Sequence, residues 1–198
     1  VINADEGEPG TFKDRTIMEL DPHRLIEGCL ITMRAIGANV CYIYVRCELV
    51  TSIARLEVAI EEARQQGYIG SRPFGIDQPM QIYVHMGAGA YICGEETSLL
   101  NSLEGKRGEP TIVNNVETIA SVPDIVRMGG KAWSDLGKLP RDGGTPLYGV
   151  TGHIKKPRVY EAPLGQKMLE KMPGLMTRSE HMVMARLQAA MPRLMQRL

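Results

Sequence analysis

Gln81-Ile82-Tyr83-Val84-His85-Met86 runs into Gly87-Ala88-Gly89-Ala90-Tyr91-Ile92-Cys93-Gly94-Glu95-Glu96, and then into Thr97-Ser98-Leu99-Leu100-Asn101-Ser102-Leu103. The first run is apolar and short enough for a strand, the second is a glycine-rich turn, and the third reads as a helix. Glycines tolerate positive φ and let a ligand approach bare backbone, and a helix start offers unpaired N–H groups. Glu95 and Glu96 sit at that helix start, where the dipole stabilises them but where they would repel a phosphate. Carboxylates in a nucleotide site more naturally accept hydrogen bonds from ribose or ribityl hydroxyls. The glycine spacing is not G-x-G-x-x-G, and no Lys-Ser or Lys-Thr follows to make a phosphate-cradling Walker loop. Spacing alone therefore leaves two readings open, a nucleotide-like ligand held by hydroxyls and backbone, or a tight turn with a solvated acidic helix start.

Working outward, Val1-Ile2 reads as the end of a strand feeding an acidic loop over 3–10. Asp21-Pro22 is a helix start, with Asp as cap and Pro in the first turn. Leu25, Ile26, Cys29, Leu30, Met33 and Ile36 mark its apolar face and Gly37 its end. Val40 to Val45 is β-branched and aromatic, continuous enough for a buried strand. Thr51 or Ser52 caps a second helix, with Ile53, Leu56, Ile60 and Ala63 inward and Gly67 at its close. Asn114 to Met128 reads as a further helix crossed by Pro123. Strands alternating with helices predict an α/β domain with a largely parallel sheet and flanking helices. Ligands of such sheets lie at the carboxyl ends of the strands, where the 3–10 and 87–96 loops fall.

Hydrophobic residues at 43% and charged residues at 23% fit an ordinary globular chain of 198 residues. The net charge of +0 gives no electrostatic case for nucleic acid or an anionic membrane surface. No apolar run reaches the roughly 18–20 residues of a membrane span, so no direct membrane insertion is expected. The first residue is Val, and residues are expected to be missing upstream. Cys29, Cys41, Cys47 and Cys93 lie far from C-x-x-C spacing and complete no zinc pattern, so no metal site is expected. Scattered single thiols read as reduced core residues, with Cys93 near a ligand by virtue of its loop.

Three motifs in fixed order identify the chain further. They are GAGAYICGEETSLLNSLEGKRGEP over 87–110, Asn3-Ala4-Asp5-Glu6-Gly7-Glu8-Pro9-Gly10-Thr11-Phe12-Lys13-Asp14-Arg15, and Val113-Asn114-Asn115-Val116-Glu117-Thr118. In these the chain, from residue 1 to about 165, resembles the FMN- and NADH-binding flavoprotein subunit of respiratory complex I. Related subunits of NAD-reducing hydrogenases and NAD-dependent formate dehydrogenases share them. The resemblance implies FMN and NAD(H) as cofactors, with hydride passing from nicotinamide to flavin and no protein acid or base required. It implies Asn3, Asp5 and Glu6 at the isoalloxazine edge or ribityl chain, and Glu8 beside the nicotinamide. Gly87, Gly89, Tyr91, Gly94 and Glu95 would line the flavin, and Glu96 would meet the adenosine ribose and repel an added 2′-phosphate. Val113, Asn114 and Asn115 would fix FMN through neutral amides and backbone N–H groups. Lys13, Asp14 and Arg15 read as a local ion pair, and His85 is assigned no role. The resemblance also implies a domain over 1–145 and the start of a small β-rich, β-grasp-like domain over 146–165.

Residues 166–198 depart from all this, with seven of the twelve Met and six Lys or Arg against two Glu. They read as a Met-rich basic tail of no assigned function. Two other departures bear on activity. The glycine-rich loop that precedes the first motif in the family is expected among the missing upstream residues, and Gly108-Glu109-Pro110 runs straight into Thr111 where relatives carry a Lys-Pro-Pro-Phe-Pro strip that helps hold NADH. The cysteines of the family's [4Fe–4S] domain are absent too, so that cluster is expected only in full-length relatives. The resemblance implies a peripheral place on the cytoplasmic or matrix side of the inner membrane, among other subunits of an electron-transfer complex. Two functions follow: the entry segment of an NADH dehydrogenase (quinone), or of the equivalent hydrogenase or formate dehydrogenase component, and a non-catalytic remnant of it.

Overall fold

The computed structural model describes residues 1–87, 99, 111–138, 143–151 and 156–165. It falls into two units, Val1–Trp133 and Ser134–Leu198. In the first unit a four-stranded sheet has the order β3-β2-β1-β4, with β1 Ile2–Ala4, β2 Val40–Arg46, β3 Gln81–Gly87 and β4 Asn114–Asn115. Every pairing in it is parallel, so the α/β reading holds.

Helices α1 (Lys13–Leu20) and α2 (Pro22–Ile36) connect β1 to β2, and α3 (Val50–Gln65) connects β2 to β3. Helix α4 (Val116–Met128) follows β4. One core joins them on a single face of the sheet. Ile2, Ala4, Cys41, Ile43, Val45 and Ile82 from the strands meet Met18, Leu25, Cys29, Met33, Leu56, Ile60 and Ile119 from the helices. A strand's side chains alternate between faces, so Asn3, Tyr42, Tyr44 and Tyr83 point the other way. There Tyr44 and Leu99, both fully buried, form a second small cluster with Val1.

Local chemistry explains most element ends. The Asp21 carboxylate accepts the Arg24 backbone N–H at 3.3 Å, Pro22 opens α2, and Gly37 closes it at φ 72°. Helix α3 starts differently from the sequence reading. It begins at Val50 with no side-chain cap, and the Ser52 hydroxyl donates to Glu19 Oε1 at 3.1 Å. Ser52 is fully buried against α1, so its hydroxyl serves a helix–helix contact and not the helix start. Asn115, expected inside a helix, instead caps α4, its Oδ1 accepting the Glu117 N–H at 2.9 Å. Pro123 lies within α4 and has no N–H to give to the Ile119 carbonyl one turn back. Gly28 of α2 packs against that carbonyl so closely that a Cβ there would stand 2.0 Å from the oxygen.

In the second unit β5 (Leu147–Val150) and β6 (Arg158–Glu161) pair antiparallel, Tyr148 opposite Tyr160. The Met-rich tail lies outside the described residues.

Candidate functional site

The order of strand addition reverses at β1. From β1 the chain steps to β2 and then β3 on one side, and returns to place β4 on the other. Such a reversal opens a crevice beyond the carboxyl ends of the two flanking strands, here β1 and β4. The acidic loop leaves β1 at that point, and Asn114 and Asn115 end β4 beside it, in register with Ile2 and Asn3.

Asp5 is the first residue past β1. The side chain is buried, and its Oδ2 has no hydrogen-bond partner among the described residues. Burial pushes its pKa above the ordinary carboxylate value, Arg46 at the end of β2 pulls it back, and Glu48 adds to the rise. Arg46 is itself committed to Glu48, with Nε 2.9 Å and Nη2 3.1 Å from its carboxylate oxygens. That hydrogen bonding holds Glu48 down at about 2. Asp5 is left as a buried acceptor at the mouth of the crevice.

Glu6, the next acidic residue, is spent differently. Its two carboxylate oxygens accept the backbone N–H groups of Asp14 at 2.9 Å and Arg15 at 3.0 Å. These are orphan donors in the first turn of α1, whose capping position is Phe12, so Glu6 caps the helix from outside it. Lys13 and Asp14 form the expected local ion pair at 2.6 Å. The pair reaches further than its neighbours. Asn115 Nδ2 donates to Asp14 Oδ2 at 2.8 Å, and Lys13 Nζ donates to Asn115 Oδ1 at 3.0 Å and lies 3.2 Å from Glu117. Burial opposes the Lys13 charge, but Asp14 and then Glu117 outweigh it and hold its pKa above the ordinary value.

On the other face, Asn3, Tyr44 and His85 lie side by side in register across β1, β2 and β3. The Tyr44 and His85 rings stack 5.3 Å apart. Gly87, read as a place for a ligand to approach backbone, is crowded by protein: a Cβ there would lie 2.6 Å from the Tyr44 ring. Asn3 Oδ1 accepts the Asp5 backbone N–H at 3.1 Å, which turns the chain into the acidic loop. Glu8 stands exposed on that loop, and Val113 and Asn114 are half-buried. Gly89, Tyr91, Gly94, Glu95 and Glu96 lie outside the described residues. Cys29 and Cys41 are buried free thiols, as read, while Cys47 is partly exposed and donates to Glu48. The structure thus brings Asn3, Asp5, Glu6, Asn114 and Asn115 to one crevice. It adds Arg46, Asp14 and Lys13, of which Arg46 carries no sequence signal beyond ending a strand.

Among the described residues no cluster of His, Cys, Asp or Glu could hold a metal ion, and no helix is long and apolar enough to cross a membrane. A family model described as the Nuo51 FMN-binding domain matches residues 1–124, and one for an uncharacterized protein conserved in bacteria matches 160–193. An NADH-quinone oxidoreductase subunit of Rhizobium meliloti (strain 1021) is 50% identical over 184 residues, covering 85% of this chain and 44% of its own length. The corresponding NADH-quinone oxidoreductase subunit of Aquifex aeolicus (strain VF5) is 50% identical over 187 residues, covering 86% of this chain and 43% of its own. That of Rickettsia rickettsii (strain Sheila Smith) is 46% identical over 193 residues, covering 88% and 46%. A chain of an NAD+-reducing [NiFe]-hydrogenase in the H2-reduced state superposes with a TM-score of 0.77 at 37% identity, covering 88% of this chain and 32% of that one. The chain spans less than half the length of the three oxidoreductase relatives.

Proposed function

The chain belongs to the family of the Nuo51 FMN-binding domain, and we propose that it is the FMN- and NADH-holding segment of an NADH-oxidising flavoprotein subunit. The observation that carries this reading is the buried Asp5 Oδ2 without a partner among the described residues, at the crevice where the order of strand addition reverses. An unsatisfied buried acceptor costs about 1–3 kcal/mol. A ribityl hydroxyl or a flavin ring N–H offsets that cost, so the donor set of FMN fits the site. FMN when bound supplies the hydride acceptor.

This chain's residues bind and orient. Asn3, Asp5 and Glu6 face the flavin from the β1 side, with Glu6 acting through the helix it caps. Glu8, exposed on the loop, takes the nicotinamide side. Gly89, Tyr91, Gly94 and Glu95 line the flavin and Glu96 takes the adenosine ribose, while the Tyr44 ring fills the space beside Gly87. Val113 and Asn114 hold FMN from the β4 side together with the Asn115 backbone, since the Asn115 amide is already engaged with Lys13, Asp14 and Glu117. The segment works with partner subunits of a peripheral complex, on the cytoplasmic or matrix side of a membrane, and passes electrons toward quinone. A hydrogenase-linked role is the second reading, since a hydrogenase chain shares the fold. The remnant reading is favoured by one feature, the direct join of Pro110 to Thr111 in place of the family's Lys- and Phe-bearing strip.

Flavin fluorescence quenching and NADH-dependent ferricyanide reduction by the 198-residue chain test this. Saturable FMN quenching is expected, and Asp5→Ala should weaken it. Each lost charged or aromatic contact costs roughly 0.5–3 kcal/mol, so NADH binding is expected about a hundredfold weaker than in a relative that carries the Lys- and Phe-bearing strip, with no steady NADH turnover. Tight quenching with turnover overturns the remnant reading; no quenching at all overturns the flavin reading.

A further inference from the structure

The first turn of α1 touches both walls of the crevice. Its backbone N–H groups at Asp14 and Arg15 are held by Glu6 of the acidic loop. Its side chains at Lys13 and Asp14 hold Asn115, at the end of β4 and the start of α4. Asp14 stands in both sets. Its N–H goes to Glu6 and its carboxylate to Asn115, 101 residues away along the chain, and it is 3% exposed.

Asn115 is a two-sided group whose orientation this contact fixes. Its Oδ1 accepts from Glu117 N–H and Lys13 Nζ, both donors, so its Nδ2 must face an acceptor, which is the Asp14 carboxylate. The result is a closed arrangement in which every group has a matching partner, the kind of buried polar set that fixes one geometry.

We infer that Asp14 is a positioning residue for the cofactor crevice, bracing the Asn115 segment against the acidic loop so that the two walls keep a fixed separation. This rests on the FMN reading above, and it assigns no contact between Asp14 and the ligand. Lys13 is the brace's counter-ion, and Glu117 shares that charge from the α4 side.

Exchanging the two partners tests the brace. Asp14→Asn removes the charged acceptor, and Asn115→Asp sets two carboxylates against each other. The double variant D14N/N115D restores an amide facing a carboxylate beside Lys13 and keeps a capping acceptor for Glu117 N–H. Each single change should weaken FMN quenching by the 198-residue chain about tenfold or more, the loss of a charge-assisted hydrogen bond. The double variant should recover to within about threefold of the original. Ile60→Val in α3, a core control, should leave FMN affinity unchanged at a temperature well below unfolding. A double variant no better than the single changes combined, or a control that weakens binding equally, overturns the brace.

A second readout needs no flavin. In the 15N-labelled chain, the Asn115 side-chain amide should exchange with solvent at least about tenfold more slowly than that of Asn39, an exposed residue. Asp14→Asn should abolish that protection. Equal exchange at Asn115 and Asn39 overturns the brace even where FMN binds. If FMN fails to bind, the FMN reading falls, and exchange still decides whether the brace exists.

Discussion

At the scale of single residues, Asp5 and Glu48 titrate in opposite senses although both are carboxylates near Arg46. Folding raises the Asp5 pKa, so the folded state holds that proton more tightly than the unfolded chain does. Ionised Asp5 therefore costs stability as pH rises through its folded pKa, and the cost is gone below the ordinary value of 3.8. Asp5→Asn should make the ligand-free chain more stable at pH 7, with the gain closing as the pH falls toward 3.8. Urea midpoints at the two pH values check this, and a gain that grows on acidification refutes it. Glu48 runs the other way, its contribution present above 4.5 and lost as the pH falls through about 2. Solvent screening at that exposed carboxylate keeps it small. The sequence carried Asp5 as a binding residue through its motif alone. Its burial was not legible there, because burial comes from the turn after β1 and from the neighbouring end of β2.

At the scale of elements, what could be read ahead was what the chain declares locally. Asp21, Pro22 and Gly37 bound α2 in the sequence and in the structure. Helix α1 escaped reading because Phe12 offers no cap and the capping carboxylate belongs to Glu6, beyond the helix. Strand β4 is two residues long and exists through its pairing with β1, so nothing within Asn114-Asn115 announces it. The crossing of α2 and α4 was hidden for the same reason, since it depends on Gly28 meeting the carbonyl that Pro123 leaves free. Gly28→Ala should gain about 1 kcal/mol in helix propensity. It would also drive a methyl into a backbone oxygen that cannot retreat as a side chain does, costing about 1–3 kcal/mol or more. With the Cβ only 2.0 Å from a backbone oxygen the upper end of that cost applies, so net destabilisation of about 2 kcal/mol is expected, read as a fall in urea midpoint. An unchanged or raised midpoint would show that the helices can part cheaply.

At the scale of the whole molecule, the acidic loop and the β4 segment are distant in sequence and adjacent in space, and this separation has a consequence for how the chain folds. The pairs Ile2–Ile43 and Val40–Gln81 join stretches about 40 residues apart, whereas Asp14 and Asn115 are 101 residues apart. Closing the longer loop costs about 0.8 kcal/mol more in chain entropy, by logarithmic scaling with loop length. The β1–β2–β3 sheet with its helices is therefore expected to form in the rate-limiting step, and the β4 side to join after it. Asp14→Asn should then speed unfolding and leave refolding nearly unchanged, while Ile43→Val in β2 should slow refolding. Stopped-flow mixing with urea separates the two rates, and a slowed refolding of Asp14→Asn would place the crevice in the nucleus instead. A nascent chain emerging from the ribosome would carry the two walls of the crevice apart until residue 115 arrives, so a ligand that needs both walls, as the proposed flavin does, would be captured late in folding.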